Sequence, residues 1–245
     1  TLARERRRTR VGTDVKNIWI PKDENELIEL LREKEITSIV VNSYPKIYHK
    51  ENASLIQTSF LESGFEVYKT EIDQYLDLRS AFKSQLKASE RRYLNHAERA
   101  HYKFKTLKTE DLRAVYKLIE DTRKLKGYPV TMTFEQLRET IIKFHKNYFI
   151  FGLFDDDKLI AANVCIHVNK AILYNFYNGD DLNYRKHSPV VPLVGQLHAY
   201  ARSAGYKILD LGISTDNGKL NAGLYNFKRS LGAMDSDKPS YKLSL

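Results

Sequence analysis

Residues 209–233 read LDLGISTDNGKLNAGLYNFKRSLGA, and this stretch decides how the rest of the chain is interpreted. Its apolar start is typical of a buried strand. Its polar, glycine-containing middle is typical of a loop, and its last part is typical of a helix. Four apolar residues share one face of that helix at helical spacing, and we expect them to pack on a sheet: Leu220, Leu224, Phe227 and Leu231. Asn221, Tyr225 and Lys228 form a second line about 100° around the helix, at the edge of the core.

From residue 101 onward, the sequence predicts an ordered series of strands and helices. A strand (HYKFKTL) precedes two helices, one capped by Thr109 and running toward Gly127, the other opening on the capping-box spacing Thr133–Gln136. Three strands follow, NYFIFGLF, LIAANVCIHV and AILYNFYN, and their short connecting turns predict an antiparallel meander. A helix from about residue 188 to 204, the strand YKILDLG, the opening helix and a last strand SYKLSL complete the series.

The first part of the chain repeats the end of this series. ENELIELLREK predicts a helix, ITSIVVN a strand, ENASLIQTSFLES a helix and FEVYKTEI a strand. We therefore predict a mixed α/β chain in three parts. These are a partial unit over residues 1–78, a basic linker helix over residues 79–100, and a complete unit over residues 101–245.

The net charge of +9 is concentrated in two short segments. Residues 1–10 hold five arginines and one glutamate, and we interpret them as a disordered or artificially appended end. Residues 79–105 hold eight basic residues and two glutamates. Four of the eight recur at every fourth residue and would lie on one helix face: Arg79, Lys83, Lys87 and Arg91. Such a stripe fits a bound polyanion, and a solvated face partly neutralised by Glu90 and Glu98 fits as well.

This order of elements resembles the GNAT acyltransferase fold. Two such units joined by a helix, with LDLGIS and GLYNFKRSLG in the second, resemble the Fem-like aminoacyltransferases of peptidoglycan bridge formation and their relatives. KSQLKASERRYLNHAERAHYKF is similar to the basic linker of that family. The resemblance covers residues from about 24 to the end and implies a GNAT fold. It also implies transfer of an aminoacyl or acyl group to an amine, with a cell-wall or amino-sugar precursor as acceptor.

Two features depart from the family pattern. The first unit lacks its early strands and helices, so the chain is either a fragment or a shortened relative. No heptad repeat corresponds to the coiled-coil arm of some Fem-type enzymes. The resemblance implies no tightly bound cofactor, only a carrier substrate, which is aminoacyl-tRNA or acyl-CoA.

The carrier prediction depends on the start of the helix after the three-stranded meander. GNAT proteins that use acyl-CoA hold its pyrophosphate on amides at this place, where the present sequence reads NYRKHSPVVPLVGQL. With Ser188 as cap, Pro189 and Pro192 remove two of four free amide donors and weaken the anion site. Arg185 and Lys186 could still contact a phosphate. We therefore favour aminoacyl-tRNA as donor, and Lys83, Lys87 and Arg91 of the linker are the predicted contacts of its phosphates.

Acyl transfer to an amine needs a proton acceptor and positive charge at the developing oxyanion. The resemblance places the lysine of the family's FK pair at Lys228, and we predict catalytic roles for Lys228, Tyr225 and Asp210. Ordinary surface packing of Lys228 beside Arg229 is the competing interpretation, and a hydrogen-bonded structural role competes for Asp210. As an off-core residue, Lys228 would tolerate methionine with a stability change below about 1 kcal/mol.

Six further residues are predicted to bind substrate: Tyr174, Tyr177, Asn178, Ser214, Asn221 and Arg229. Core packing is the alternative for at least one of the aromatic residues.

Composition excludes several other classes of protein. The single cysteine, Cys165, excludes an internal disulfide, and the seven histidines show no metal-ligand spacing, so we assign no metal. No apolar run is long enough to cross a bilayer, and the start lacks a signal-peptide pattern, so we expect a cytoplasmic protein.

Two rival functions remain. One is a noncatalytic RNA-binding protein on an acyltransferase scaffold, and the other an acyl-CoA N-acyltransferase acting on an amino sugar or polysaccharide precursor.

Overall fold

The structure, a computed structural model, describes residues 29, 31, 33–127 and 129–245. The basic residues 1–10 lie outside the described residues, so the interpretation of that segment stays a prediction. Within the predicted helix ENELIELLREK, residues 29, 31 and 33 are described and are helical.

From residue 38 onward the described chain forms ten strands and seven α-helices. The strands are β1 (Ser38–Asn42), β2 (Glu66–Asp77), β3 (Lys103–Leu107), β4 (Tyr148–Asp155), β5 (Lys158–Asn169), β6 (Ile172–Asp180), β7 (Ile208–Ile213), β8 (Thr215–Asp216), β9 (Lys219–Leu220) and β10 (Met234–Ser244). The helices are α1 (Ala53–Glu62), α2 (Phe82–Gln85), α3 (Ala88–Arg99), α4 (Leu112–Leu125), α5 (Phe134–Lys143), α6 (Val190–Ser203) and α7 (Ala222–Ser230).

Eight strands form one sheet in the order β1-β10-β2-β7-β6-β5-β4-β3. The antiparallel meander β4-β5-β6 is confirmed, with its turns where the sequence predicts them. The pair β6-β7 is parallel, and every other neighbouring pair in this sheet is antiparallel. β8 and β9 form a separate small hairpin that the sequence patterns did not predict.

Strands from both predicted units belong to this one sheet. β2, from the first 78 residues, lies between β7 and β10 and pairs with both of them. β10, in turn, connects β2 to β1. The division into units at residue 78 stays a prediction, but the sheet is continuous across it.

The two faces of the sheet carry different helices. One face of β6 and β7 is covered by α6, by α2 and by the residues that follow α2. The contacts on this face include Phe82, Leu197 and Leu209. On the other face α4 and α5 cover the meander, with Ile119 and Leu137 fully buried. Within the described part of the chain, no helix has the length and apolar character to span a bilayer.

The predicted linker helix is not continuous. α2 ends at Gln85, Leu86 and Lys87 take extended backbone angles, and α3 begins at Ala88. Tertiary contacts explain the break. Leu86 is 2% exposed within the core, and the Lys87 amide donates to the Ser230 carbonyl at the end of α7. The continuous helix was wrong because local periodicity does not contain these long-range contacts.

Three helix starts test the predicted capping residues. Thr109 was wrong as the cap of α4, because it lies in a 3-10 turn and Asp111 is the N-cap. Thr133 and Gln136 form the predicted reciprocal capping box at α5. The predicted cap at Ser188 was wrong, because Ser188 takes a left-handed conformation and Pro189 is the N-cap of α6. Pro192 remains in the first turn, where it supplies no amide donor.

Gly179 gives a stability prediction for the packing of α4 on β6. A Cβ at Gly179 would overlap backbone atoms of Leu118 and Ile119. Because a helix backbone cannot move aside like a flexible side chain, Gly179→Ala should lower the free energy of unfolding by about 2 kcal/mol or more. Denaturant unfolding monitored by circular dichroism measures the change.

Gly223→Ala, on α7, is the matched control, since the nearest atom to a Cβ there is 3.7 Å away. We expect it to be neutral or to stabilise by about 0.5 kcal/mol. Equal effects of the two substitutions would contradict the close approach of α4 and β6.

Candidate active site

A cleft opens in the sheet where β6 and β7 diverge. Their parallel pairing covers only residues 172–174 of β6 and 208–210 of β7. Beyond this pairing lies a cavity of about 280 Å³. Its lining comes from β6, β7, α4, α6, α7 and the turn before α6, and it includes Asn175, Asn178, Arg185, Leu211, Phe227 and Lys228. The cleft therefore brings together elements that are far apart in the chain.

Lys228 lies inside this cleft and not on the surface. Its side chain leaves α7, is 6% exposed as a residue, and donates from Nζ to the carbonyls of Gly212 (2.7 Å) and Ile213 (2.8 Å). Burial lowers the pKa of Lys228 to about 8, and the nearby carboxylates of Asp73 and Asp210 act in the opposite direction. The surface-lysine interpretation was therefore wrong, and the off-core position on which the expected mild effect of methionine rested does not hold.

Two carboxylates flank Lys228. Asp210 on β7 is 2% exposed and accepts hydrogen bonds from the Tyr48 hydroxyl and the Gly212 amide. The hydrogen bonding expected of a structural Asp210 is thus confirmed at Gly212, whose φ of 78° favours glycine. Burial raises the pKa of Asp210, and hydrogen bonds from Tyr48 and Gly212 oppose that shift.

Asp73 on β2 is the second carboxylate, and the sequence analysis missed it. It is 2% exposed, and burial together with the adjacent Asp210 raises its pKa to about 8. The Asp210 carboxylate lies close enough to Asp73 to disfavour a second negative charge there, which adds to the effect of burial on the pKa of Asp73. Among the described residues, Asp73 Oδ2 has no hydrogen-bond partner. A charged residue within a buried strand was the available signal.

The cluster of Lys228, Asp73 and Asp210 supplies both groups that amide formation requires. A buried ammonium stabilises negative charge on a carbonyl oxygen, because little water competes with it. The unpartnered oxygen of Asp73 can accept a proton at the same place. Tyr174 lies beside them, in register with Asp210, and burial raises its pKa.

Several predicted site residues lie away from this cluster. The Tyr225 hydroxyl donates to Asp235, which also receives Arg229, on an exposed part of the molecule. Asn221 accepts from the Leu224 amide as the N-cap of α7. Ser214 is fully buried and donates to Gln74, while Tyr177 is 1% exposed and packs under α4 and α5. The exposed Leu220 lies on β9 and was wrongly placed in the packing face of the helix.

Two basic residues lie at the wall of the cavity where a carrier phosphate was predicted to bind. Arg185 and Lys126 both line the cavity, and Arg185 Nε lies 3.3 Å from the Asp180 carboxylate. Lys186 is exposed on the turn before α6. In that first turn the Val191 amide already donates to the Ser188 carbonyl, so few amides remain for an anion.

The basic residues of the linker do not form one stripe. Arg79 precedes α2 and pairs with Asp77, whereas Lys83 on α2 lies 3.5 Å from Glu98 of α3. Lys87 is the N-cap of α3, and Arg91 Nε donates to the Leu86 carbonyl. Lys83, Lys87 and Arg91 are all exposed, so they remain available to an anionic partner, though from two helices.

Solved structures with the same fold include three with informative names. FemX is 12% identical, covers 90% of this chain and 75% of its own, and has a TM-score of 0.71. L-PGS from Bacillus licheniformis is 14% identical, with coverages of 89% and 71% and a TM-score of 0.63. The C-terminal domain of a putative lysylphosphatidylglycerol synthetase from Agrobacterium fabrum is 11% identical, with coverages of 90% and 73% and a TM-score of 0.61. At these identities the similarity shows the fold alone.

No curated protein matches the sequence. The family model of the acetyltransferase (GNAT) domain matches residues 80–229, which include α7 and Lys228. The match covers more than half of the chain. This protein is an acyltransferase that belongs to the GNAT domain family.

Proposed function

We propose that this protein transfers an aminoacyl or acyl group from a carrier, with aminoacyl-tRNA favoured, to an amine acceptor such as a cell-wall precursor. The observation that carries the proposal is the burial of Lys228 in the cleft wall, within electrostatic range of Asp73 and Asp210. A buried lysine with two carboxylates costs folding free energy, so its presence in a cleft favours a role in chemistry.

The reaction follows from the positions of these groups. The acceptor nitrogen attacks the acyl carbonyl, and Lys228 stabilises the oxyanion of the tetrahedral intermediate. Asp73 Oδ2 takes the proton that the nitrogen loses when the C–N bond forms. When the intermediate collapses, the bond from the carbonyl carbon to the carrier oxygen or sulfur breaks, and that proton passes to the leaving atom. Tyr48 and the Gly212 amide hold the Asp210 carboxylate in position near Asp73.

Two observations support an aminoacyl-tRNA donor. The first turn of α6 offers few free amides for a pyrophosphate, and the exposed linker cations suit a polynucleotide. The similarity of fold adds to these two observations. FemX and a putative lysylphosphatidylglycerol synthetase share the fold, and the name of the synthetase indicates a product that carries a lysyl group. GNAT domains typically use acyl-CoA, and Arg185 with Lys126 at the cavity favours acyl-CoA as the second candidate.

A donor screen tests the proposal. Labelled acyl-CoA and charged tRNA are each incubated with the protein and with peptidoglycan precursor peptides or amino sugars, and label transfer is counted. Transfer from charged tRNA supports the favoured donor, and transfer from acyl-CoA alone supports the second. Salt-dependent RNA binding without any transfer would instead support a noncatalytic RNA-binding protein.

Replacing Lys228 by methionine should slow transfer about a hundredfold, since about 3 kcal/mol of oxyanion stabilisation is lost. It should also lower the free energy of unfolding by about 3 kcal/mol, because a buried carboxylate loses its cation. Turnover per folded molecule is measured below the melting temperature of the variant. Lys207→Met is the control at an exposed lysine, and full activity of the Lys228 variant would overturn the catalytic role.

The pH dependence of turnover should be bell-shaped with its maximum near pH 8. Asp73 must be ionised to accept a proton, so activity rises as the pH passes its pKa of about 8. Lys228 must be protonated, so activity falls as the pH passes its pKa of about 8. Asp73→Asn should lose most activity and the rising limb. An unchanged rising limb would show that another group accepts the proton.

Neutralising Lys83, Lys87 and Arg91 by glutamine should weaken tRNA binding and flatten its dependence on salt, because fewer counterions are released. Binding is measured at several salt concentrations by fluorescence anisotropy. The control carries Lys146→Gln, Lys170→Gln and Lys207→Gln. These exposed lysines lie outside the linker helices α2 and α3, and replacing them removes the same charge. Equal slopes for the two triple variants would reject the linker as the tRNA contact.

A further inference from the structure

Three asparagines form a polar cluster on the α6 side of the central strands. Asn175 and Asn178 on β6 line the cavity that contains Lys228. Asn163 on β5 is paired in register with Asn178, so the two side chains point to the same face of the sheet. The cluster therefore runs from the cavity wall into the core. The sequence analysis singled out only Asn178 among the three, and the proposed catalytic groups do not account for the cluster.

The amide groups of this cluster lack protein partners. Asn163 is fully buried, and neither its Oδ1 nor its Nδ2 has a hydrogen-bond partner among the described residues. The buried Oδ1 of Asn178 is also without a partner in this part of the chain. Asn175 is 3% exposed, and its Oδ1 has only the weak thiol donor of Cys165 at 4.0 Å.

Such an arrangement is costly unless something pairs with it. Buried amides almost always have partners, and an unpaired one loses its hydration without compensation. The other walls of the cavity are largely apolar, from side chains that include Val194, Leu211 and Phe227. Pockets of this kind use a few polar groups to select a ligand.

We propose that Asn163, Asn175 and Asn178 determine which acyl group is transferred, by accepting hydrogen bonds from an amino or hydroxyl group on the acyl chain. This rests on the proposed function, because it places the acyl group in the cavity with its carbonyl at Lys228. Three amide oxygens require hydrogen-bond donors, and acetyl or branched alkyl groups have none. Asn175 and Asn178 line the cavity and contact the acyl group, and Asn163 lies next to Asn178 on the same face of the sheet, where its amide extends the polar wall.

Three acyl groups of nearly equal size test this selection: alanyl, lactyl and isobutyryl. Each is loaded on the same carrier, tRNA and CoA in separate series, and kcat/KM is measured with one acceptor. Alanyl and lactyl should be transferred at least about tenfold more efficiently than isobutyryl, since the apolar group leaves the amides unpaired. Equal efficiencies would overturn the proposal while leaving the acyltransferase function intact.

Variants separate specificity from a structural role. Asn178→Leu should bring the ratio of lactyl to isobutyryl transfer toward one, and Asn178→Asp should favour alanyl over lactyl, because a carboxylate pairs better with an ammonium group. The ratio is measured within one preparation, so a partial loss of folding cancels. Asn226→Leu, at an exposed position of α7, is the control and should leave both ratios unchanged.

Stability gives an independent readout. Asn163→Leu replaces an unpartnered buried amide by an apolar group, so its melting temperature should stay equal or rise while selectivity falls. A lower melting temperature with unchanged selectivity would show that Asn163 has a structural role and would overturn the proposal. Absence of transfer of all three groups from both carriers would overturn the proposed function and this inference together.

Discussion

β6 and β7 pair in parallel over only three residues each, and the gap beyond this pairing determines where the candidate site lies. A sheet that stayed paired would fill this space with backbone hydrogen bonds. Because the strands diverge, side chains from β6, β7, α4, α6 and α7 face a common cavity instead. The freed carbonyls of Gly212 and Ile213 then bind the ammonium group of Lys228, so the divergence of the strands and the burial of the lysine depend on each other.

The electrostatic balance of the cleft depends on the first 78 residues as much as on the rest of the chain. Asp73 comes from β2, which lies between β7 and β10, and Tyr48 comes from the segment between β1 and α1. The raised pKa of Asp73 keeps this residue mostly protonated at neutral pH, which leaves at most the single negative charge of Asp210 to balance Lys228. This near-neutral cluster tolerates burial far better than three independent charges would. The segment before the family match therefore contributes directly to the proposed chemistry.

Local patterns predicted the elements well where local forces decide them. The meander β4-β5-β6, the capping box at Thr133 and Gln136, and the left-handed glycine at residue 127 follow from side-chain alternation, cap chemistry and glycine's conformational freedom. The same approach was wrong at Leu86 and Lys87, where core packing and a bond to Ser230 interrupt a helical pattern. It was also wrong at Ser188, because α6 has its N-cap at Pro189, one residue later than the capping rule predicts.

The sequence by itself determined the order of elements, the resemblance to the GNAT fold and the choice of Lys228, because period, capping and motif are properties of neighbouring residues. Only the tertiary structure decided that Lys228 is buried, that Asp73 and Tyr48 lie beside Asp210, and that Tyr225 turns away toward Asp235. These facts depend on the insertion of β2 between β7 and β10, a pairing between residues more than a hundred positions apart. A sequence pattern carries no record of such a pairing, since its energy comes from contacts that exist only after the sheet has formed.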